Sequence, residues 1–185
     1  MLPLRLRAEH REGPPTGMGL LARHPARFRL RGLNRPDAPL LAAHLLRLSP
    51  EDRRARFHGG MSESAINGYV NRIDWQGAYV FGTFIGGELR GVAELVPMGD
   101  GDAEIAVSVE PRFRHDGLGR LLVVAAMLAA RRLGMARVIL DYLPRNTAMA
   151  ALMKELGART QFKGQVIEAV ITLPARQDAG ATEEA

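Results

Sequence analysis

Residues 103–134 read AEIAVSVEPRFRHDGLGRLLVVAAMLAARRLG, and their pattern predicts a strand, a short turn and a long helix. Apolar and small residues predict the strand from Ala103 to Val109, and Glu110-Pro111 ends it because proline cannot donate to a sheet. The spacing of apolar residues predicts an amphipathic helix from Leu118 to Leu133, closed by Gly134. We expect this helix to bury one face, formed by Leu118, Leu121, Leu122, Ala125, Leu128 and Ala129.

The turn between strand and helix, Arg114-His115-Asp116-Gly117-Leu118-Gly119, has the composition of an anion site. A helix N-terminus offers unpaired N–H groups and a partial positive charge. Gly117 and Gly119 let the backbone approach an anion closely because they have no Cβ. Three arginines add charges that suit a phosphate, namely Arg112, Arg114 and Arg120. The alternative is a plain helix-start turn with exposed arginines.

Two other phosphate-binding motifs do not fit this turn. A dinucleotide fold requires the spacing GxGxxG after the first strand of a parallel sheet, and the glycine spacing here is different. A nucleotide P-loop requires a lysine followed by serine or threonine after its last glycine, and that lysine is absent.

The rest of the chain alternates predicted strands and helices. Before the turn we expect a strand (27–33), three helices (37–48, 49–57 and 62–75) and two strands (78–85 and 88–96). Asp37, Ser49 and Ser62 are placed to cap the three helices, and Gly86-Gly87 forms a hairpin turn. After the long helix we expect a strand (138–143), a helix (146–156) and one or two strands (160–173). This mixture predicts an α+β or mixed α/β domain.

The composition is that of one globular domain. The chain has 185 residues, 46% of them apolar and 24% charged. It has no cysteine, which excludes disulfides and thiolate sites, and no apolar run reaches the roughly 18–20 residues that span a bilayer. We expect a cytoplasmic protein with no membrane partner. Its predicted parts are a flexible basic tail (1–25), one domain (26–174) and a disordered tail (175–185).

The net charge of +5 is concentrated near the N-terminus. Such a basic end can attract nucleic acid, or it can be an arginine-rich tail that keeps the protein soluble. No interleaving of aromatic and basic residues is present, so the second interpretation is favoured and we expect no nucleic-acid partner. The histidines show no metal-ligand spacing, and we expect no metal site.

Several motifs together resemble the GNAT superfamily of N-acetyltransferases. They are Arg114-x-x-Gly117-x-Gly119, the preceding Val109-x-Pro111, and Asn146-x-x-Met149-x-x-Leu152 ending in Leu156-Gly157. The resemblance covers roughly Arg27 to Leu173. It implies a central, mostly antiparallel mixed sheet, flanked by helices, with a splayed cleft between the fourth and fifth strands.

Within that superfamily the chain is most similar to the bacterial protein-lysine acetyltransferase (Pat-like) domains. Three stretches carry this similarity: Leu48 to Phe57, Ala103 to Val107, and Asn146 to Gly157. The implied reaction is transfer of an acetyl group from acetyl-CoA to a protein lysine or a small amine. No residue in the sequence decides between these acceptors, or between a monomer and a homodimer.

The resemblance also implies which residues bind acetyl-CoA, the co-substrate. Backbone groups of Val107 and Val109 would pair with the pantetheine arm as an added strand does. Asn146 would face the far arm of the cofactor. The N–H groups of the turn and first helical residues would hold the pyrophosphate, namely those of Arg114, His115, Asp116, Gly117, Leu118, Gly119 and Arg120.

The resemblance implies Glu104 as the general base that takes the proton of the amine, because the family places a catalytic glutamate in this strand. Glu104 can instead be a solvent-facing strand residue, and Glu94 on the neighbouring strand is a second candidate base. Many relatives use a tyrosine as general acid where this chain has Met153, which leaves the acid unassigned, with Tyr142 as a candidate. The missing tyrosine and Asp116, a carboxylate near the pyrophosphate, motivate an alternative: a non-catalytic acyl-CoA sensor.

Overall fold

The computed structural model describes residues 28–114 and 116–175, which form a seven-stranded mixed sheet with helices on both faces. The strands are β1 (Phe28–Leu33), β2 (Tyr79–Ile85), β3 (Glu88–Gly99), β4 (Asp102–Val109), β5 (Arg137–Tyr142), β6 (Arg159–Lys163) and β7 (Val166–Thr172). The helices are α1 (Ala38–Arg47), α2 (Pro50–Phe57), α3 (Glu63–Asn71), α4 (Leu118–Arg132) and α5 (Thr147–Glu155). Short 3₁₀ turns occupy Arg35–Asp37 and Pro111–Phe113.

The strand order is β1-β2-β3-β4-β5-β7-β6, and the one parallel pair in it is β4 with β5. Hairpins join β2 to β3, β3 to β4 and β6 to β7, whereas α4 makes the crossover that a parallel connection requires. The predicted mixed fold is therefore confirmed, including a sheet that splays between its fourth and fifth strands.

Each face of the sheet has its own apolar core. On one face, Leu122, Ala126 and Met153 of α4 and α5 pack on Leu95 and Ile105. On the other face, α1 and α3 pack on β2 and β3 through Leu41, Leu45, Ile66, Val70, Val80 and Val92. Because side chains alternate along a strand, the even-numbered residues of β4 face the side of α1 and α3.

Local capping signals predicted several boundaries correctly. The Ser49 hydroxyl accepts from the N–H of Asp52 at 3.1 Å, and α2 begins at Pro50 as expected. The Ser62 hydroxyl caps α3 in the same way, on the N–H of Ala65 at 3.1 Å. Positive φ angles of 62° and 86° at Gly86 and Gly87 form the predicted hairpin.

One predicted capping contact and one predicted helix end differ in the structure. The Asp37 carboxylate does not cap α1; it binds Arg31 at 2.7 and 2.8 Å and the N–H of Asn34 at 3.1 Å, so the chain enters α1 through a 3₁₀ turn. Helix α3 ends at Asn71, before Trp75, because Asp74 forms a turn of its own by accepting from the N–H of Gln76 at 3.0 Å.

The predicted buried face of α4 is partly wrong. Its fully buried residues are Leu118, Leu122, Val123, Ala126 and Ala130, and Leu128 is 52% exposed. The face next to the sheet contains the large residues Leu118, Leu122 and Val123 together with the small Ala126 and Ala130. The helix is therefore rotated relative to the prediction, so that Val123 and Ala126 are fully buried and Leu128 faces solvent.

The predicted tail at 1–25, and all but Ala175 of the tail at 175–185, lie outside the described residues, and the limits of the predicted domain stay a prediction. None of the helices within 28–114 and 116–175 is long and apolar enough to cross a bilayer.

A pair of leucine truncations on α4 tests its orientation. We expect Leu122→Ala to lower the free energy of unfolding by about 2–5 kcal/mol, because it leaves a cavity in the core. Leu128→Ala, the same change on the exposed side, should alter it by only about 0.5 kcal/mol. Urea denaturation of both variants measures the difference, and equal losses would contradict this packing.

Candidate functional site

A cleft opens in the middle of the sheet where β4 and β5 separate. The two strands pair only from Asp102 to Glu104 and from Arg137 to Ile139. Beyond that point lies a space of about 630 Å³. Its walls are α2, the second half of β4, the turn before α4, the end of β5 and the first turns of α5. The volume is that of a site for a drug-sized or cofactor-sized ligand.

The peptide groups of β4 alternate between a partner strand and the cleft. The N–H of Glu110 donates to the carbonyl of Arg90 in β3 at 3.0 Å, whereas the carbonyl of Val109 accepts from Arg114 Nε in the cleft at 3.0 Å. Successive peptide groups of a strand point to opposite sides, so those of Val107 and Val109 face the cleft. An extended ligand can pair with them as an additional strand does.

The glycine turn lies at one end of this cleft. Gly117 is the N-cap of α4 and has a φ of 84°, a left-handed conformation that glycine adopts without strain. Gly119 lines the cleft, and a Cβ added there would meet none of the described residues within 4 Å, its chain neighbours and its own helix backbone apart. Packing within the described protein therefore does not require glycine at 119, whereas close approach of a ligand to the helix N-terminus would favour it.

Three arginines at the cleft are each paired with a carboxylate. Arg114 lies 2.6 Å from Asp52, and Arg145 lies 2.9 Å from Glu51. Arg120 lies 2.8 Å from Glu155 of α5. These pairs join the turn before α4 and the segment before α5 to neighbouring helices, and the exposed fractions of the arginine side chains run from 39% to 64%. The arginines are thus accessible to an anion that replaces their carboxylate partners.

Most predicted site residues lie together in this cleft. Its lining includes Glu104, Val107, Val109, Arg114, Gly117, Gly119, Arg120 and Asn146. Asn146 also caps α5, because its side-chain oxygen accepts from the N–H of Met149 at 3.1 Å. Asp116 is half-buried and is not among the described lining residues, whereas the Leu118 side chain packs in the core against Ile85. His115 lies outside the described residues.

The two candidate bases have different environments. Glu104 is exposed on the cleft wall, on the β4 face that also holds Ala106 and Ser108. Glu94 is only 3% exposed and is held by Arg56 Nη2 at 2.7 Å and by the Tyr69 hydroxyl. Burial and the nearby carboxylate raise the pKa of Tyr69, against the opposing effect of Arg56. Glu94 is thus held in a buried ion pair, and of the two candidates Glu104 is the one that lines the described cleft.

Tyr142, the candidate general acid, lines the cleft but is only 5% exposed. Met153, at the position where many relatives have a tyrosine, is fully buried in the core next to α4. Within the part of the chain that the structure describes, no group of three or more His, Asp or Glu side chains is arranged to hold a metal ion.

Sequence reasoning missed a buried polar cluster beside the cleft. His44 of α1, which is fully buried, lies with its Nε2 2.9 Å from Ser108 Oγ and its Nδ1 3.4 Å from Glu110 Oε1. Glu110 also accepts from Arg47 Nε at 2.8 Å and Arg90 Nη1 at 2.9 Å. The signal that could have revealed it is the position of His44 between Leu41 and Leu45 on the apolar stripe of α1.

The cluster holds its members in defined protonation states. Burial would raise the pKa of Glu110, but hydrogen bonds from His44, Arg47 and Arg90 outweigh it and lower the pKa to about 2. Burial lowers the pKa of His44, and the contact with Glu110 opposes this only in part. At neutral pH the cluster therefore contains a carboxylate and a neutral imidazole.

The chain matches one family model and many solved structures. Residues 27–159, more than half of the chain, match the model described as Acetyltransferase (GNAT) domain. No curated protein sequence matches the chain. The GNAT domain of Streptomyces lividans PAT is among the similar structures, with a TM-score of 0.68 and 22% identity over 79% of this chain and 90% of that chain.

Two further similar structures contain coenzyme A. One is the PaiA N-acetyltransferase of Thermoplasma acidophilum, with a TM-score of 0.61 and 16% identity over 78% of this chain and 98% of that chain. The other is the spermidine N-acetyltransferase of Vibrio cholerae with CoA and spermine, with a TM-score of 0.64 and 18% identity over 80% and 96% of the two chains. At these identities the likeness concerns the fold.

The buried carboxylate makes stability depend on pH. We expect Glu110→Gln to lower the free energy of unfolding at pH 7 by about 3–5 kcal/mol, because it breaks a buried ion pair. The ordinary pKa of 4.5 falls to about 2 on folding, so this stabilisation is present above about pH 4.5 and is lost as the pH falls toward 2.

Urea denaturation of wild type and variant between pH 7 and pH 2 measures this effect. The exposed Glu63→Gln, in the first turn of α3, is the matched control and should cost at most about 1 kcal/mol. If the difference in free energy of unfolding between wild type and Glu110→Gln stays constant down to pH 2, the charge of Glu110 does not contribute to stability.

Proposed function

The chain belongs to the GNAT acetyltransferase family, and we propose that it transfers an acetyl group from acetyl-CoA to a primary amine, on a protein lysine or a small molecule. The observation that carries the proposal is the cleft between β4 and β5, which ends at the Gly117–Gly119 turn. Structural neighbours that hold CoA support the same co-substrate. A cytoplasmic location, and a monomer or homodimer, stay predictions from the sequence.

The residues of the cleft fit acetyl-CoA. The open space at Gly119 suits the pyrophosphate at the N-terminus of α4, and Arg114 and Arg120 supply the positive charge. The peptide groups of Val107 and Val109 offer hydrogen bonds to the amides of the pantetheine arm. Bound there, acetyl-CoA supplies the activated acyl group of the reaction.

Glu104 is the general base in this proposal. An alkylamine with a pKa near 10.4 is almost fully protonated at neutral pH, so a base must take its proton before attack. Glu104 accepts this proton, directly or through a water molecule. The amine nitrogen then attacks the thioester carbonyl, the carbon–sulfur bond breaks, and the thiolate leaves. Thiols are acidic enough, as the pKa of about 8.5 for cysteine illustrates, that a thiolate leaves without a strong acid, which suits a chain that has Met153 at the position of the tyrosine.

The charge of the cleft supports an amine as the acceptor. Glu104 and Asp141 line it, together with Glu51 and Asp52 of α2. Of these, Glu51 and Asp52 are neutralised by arginines. Carboxylates near the site of reaction attract a cationic amine and orient its nitrogen.

A sensor that binds acyl-CoA without turnover is the second candidate. The ion pairs of Asp52 with Arg114 and of Glu51 with Arg145 favour it, because a phosphate that displaces these carboxylates would release α2. This candidate requires CoA binding without any release of thiol.

The first test follows thiol release from acetyl-CoA with a panel of amines and lysine peptides. We expect release with at least one amine, and a fall in kcat of about 10²–10⁴-fold for Glu104→Gln, because general base catalysis is worth that much. Affinity for CoA, measured by calorimetry, should persist in this variant. The exposed Glu63→Gln is the control.

The outcomes separate the candidates. No thiol release with any amine and no CoA binding would refute the proposal. Binding without release favours the sensor, and full activity of Glu104→Gln removes only the assignment of the base.

A second test uses Gly119→Ala. The added Cβ meets open space, and alanine favours a helix over glycine by about 0.5–1 kcal/mol, so the free energy of unfolding should stay constant or rise. The affinity for CoA should fall about tenfold or more, which corresponds to about 1.4 kcal/mol, because the methyl group occupies the ligand's space. Gly60→Ala, also in open space but outside the described cleft lining, should leave affinity unchanged. Unchanged affinity in Gly119→Ala would refute this position for the pyrophosphate.

A further inference from the structure

The guanidinium of Arg56 is a fixed cation beside the cleft. The side chain is only 10% exposed, and its Nη2 donates to Glu94 Oε1 at 2.7 Å and to the Tyr69 hydroxyl at 3.0 Å. Its Cζ also lies over the rings of Phe57 and Tyr69, 4.8 and 5.7 Å from their centroids. One carboxylate and two aromatic rings therefore define the orientation of Arg56 before any ligand binds.

The other two nitrogens of this guanidinium, Nε and Nη1, are available as donors. No residue within 28–114 and 116–175 pairs with them, and the one buried side-chain nitrogen or oxygen without a partner in these ranges is Nε of Arg90. Nε and Nη1 of Arg56 therefore contact open space, and Arg56 is a lining residue of the cleft. A guanidinium keeps its charge and its N–H groups at neutral pH.

The register of the sheet places Arg56 at a defined level of β4. Its partner Glu94 is paired with Ala106 in the ladder of β3 and β4, on the face that also holds Glu104. Glu94 and Glu104 are therefore diagonal neighbours, about 7–8 Å apart and within reach of a long side chain. The guanidinium that binds Glu94 thus lies near the candidate base.

Helix α2 runs along the cleft from the glycine turn toward this base. Near its start Asp52 binds Arg114, whose Nε donates to the carbonyl of Val109 at the end of β4. Near its end Arg56 binds Glu94, which lies beside the middle of β4. The helix is therefore attached at two levels of the cleft, and Arg56 belongs to the level farther from the turn.

The acyl group of acetyl-CoA reaches the level of Arg56 in the proposed binding mode. With the phosphates at the turn and the pantetheine amides on Val109 and Val107, the thioester lies beyond Val107 in the direction of Glu104. Residues three apart in a strand are separated by about 10 Å, and Ala106 is the first residue of this interval. The reacting carbon therefore lies along the stretch of β4 that Arg56 faces.

We propose that Arg56 is a further catalytic residue of the acetyl transfer, whose free N–H groups donate to the carbonyl oxygen of the thioester as negative charge develops on it. The inference rests on the proposed function, since it requires acetyl-CoA in this cleft. The oxygen gains its charge only during the reaction, so a donor that is already oriented toward it stabilises the transition state more than the ground state.

Starting from the neutral amine, the step balances without any other reactant. The nitrogen bonds to the thioester carbon, and an electron pair of the carbonyl moves to its oxygen, which accepts from Arg56. The carbonyl re-forms as the carbon–sulfur bond breaks. The surplus proton of the nitrogen passes through water to the thiolate, and Arg56 keeps its protons throughout. The products are an N-acetyl amide and the free thiol of CoA.

The first experiment measures thiol release from acetyl-CoA with the amine that the wild-type protein uses best. The double variant Arg56→Gln/Glu94→Gln removes the guanidinium without leaving a buried carboxylate unpaired. We expect kcat to fall by about 10²-fold or more, which is the loss of one oxyanion donor. The Kd for CoA, measured by calorimetry, should stay unchanged. Arg54→Gln, exposed on the same helix and outside the described lining, is the control and should alter neither value.

Arg56→Lys is the second variant, because it keeps a cation for Glu94 and thereby the fold. Lysine is a compact charge without the planar fork of arginine, so it cannot hold Glu94 and donate to the oxyanion in the same geometry. We expect kcat to fall by about tenfold or more in this variant, again with unchanged affinity for CoA.

A pair of unreactive ligands tests the same contact without turnover. S-carboxymethyl-CoA carries a carboxylate in place of the acyl group, and S-carbamoylmethyl-CoA is its neutral amide of the same shape. A charge-assisted hydrogen bond from Arg56 favours the carboxylate. The affinity ratio of the charged to the neutral ligand should therefore fall by about tenfold in Arg56→Gln/Glu94→Gln, and by less in Arg56→Lys. A merely structural role of Arg56 would leave this ratio unchanged.

Unchanged kcat in either Arg56 variant, or a lower kcat with an unchanged ligand ratio, would overturn the inference. The proposed function would still stand in both cases, because the wild-type protein would still acetylate its amine. A wild-type protein that acetylates no amine would overturn the proposed function and the role of Arg56 together.

Discussion

The separation of β4 from β5 after three paired residues is the constraint on which the rest of the structure depends. A sheet that opens in its middle leaves peptide groups of Val107 and Val109 without a ladder partner, and buried peptide groups need one. The carbonyl of Val109 is satisfied by Arg114, a side chain from the turn that follows. The opening thus creates a place for an extended ligand and ties that place to the helix N-terminus at its end.

The buried cluster around Glu110 holds β4 in position beside this opening, through contacts with α1 and β3. Its carboxylate joins His44 and Arg47 of α1 to Arg90 of β3, at the point where β4 ends and the turn begins. Three hydrogen bonds to one carboxylate compensate the cost of burying its charge. The helix layer, the sheet and the turn are therefore connected by one charged group, and Ser108 shares that connection through His44.

The sequence predicted those parts of the protein that depend on neighbours in the chain. The caps at Ser49 and Ser62, the Gly86-Gly87 hairpin and the turn at Gly117 all follow from local backbone chemistry, and the structure has them where expected. The family resemblance assigned Glu104 and the turn to one site, and both line the same cleft, while their roles stay predictions. What was missed is long-range: the face of α4, which depends on the surface it meets, and the contacts of His44 with residues more than 60 positions away. The spacing of apolar residues does not reveal such contacts. A histidine on the apolar stripe of a helix can be predicted to be buried, but its distant partners cannot be identified from that position.

The arginine–carboxylate pairs at the cleft give it internal counterions. Asp52, Glu51 and Glu155 already neutralise the cations that a phosphate would use, so a polyanion enters by exchange for charges of the protein. The free energy of binding is then the difference between the ion pairs that the polyanion forms and those that the protein loses. The resulting affinity is lower than three free arginines would provide. The same carboxylates can return to their arginines as the anion departs. For acetyl-CoA, the proposed ligand, such an exchange of ion pairs would favour rapid release over tight retention.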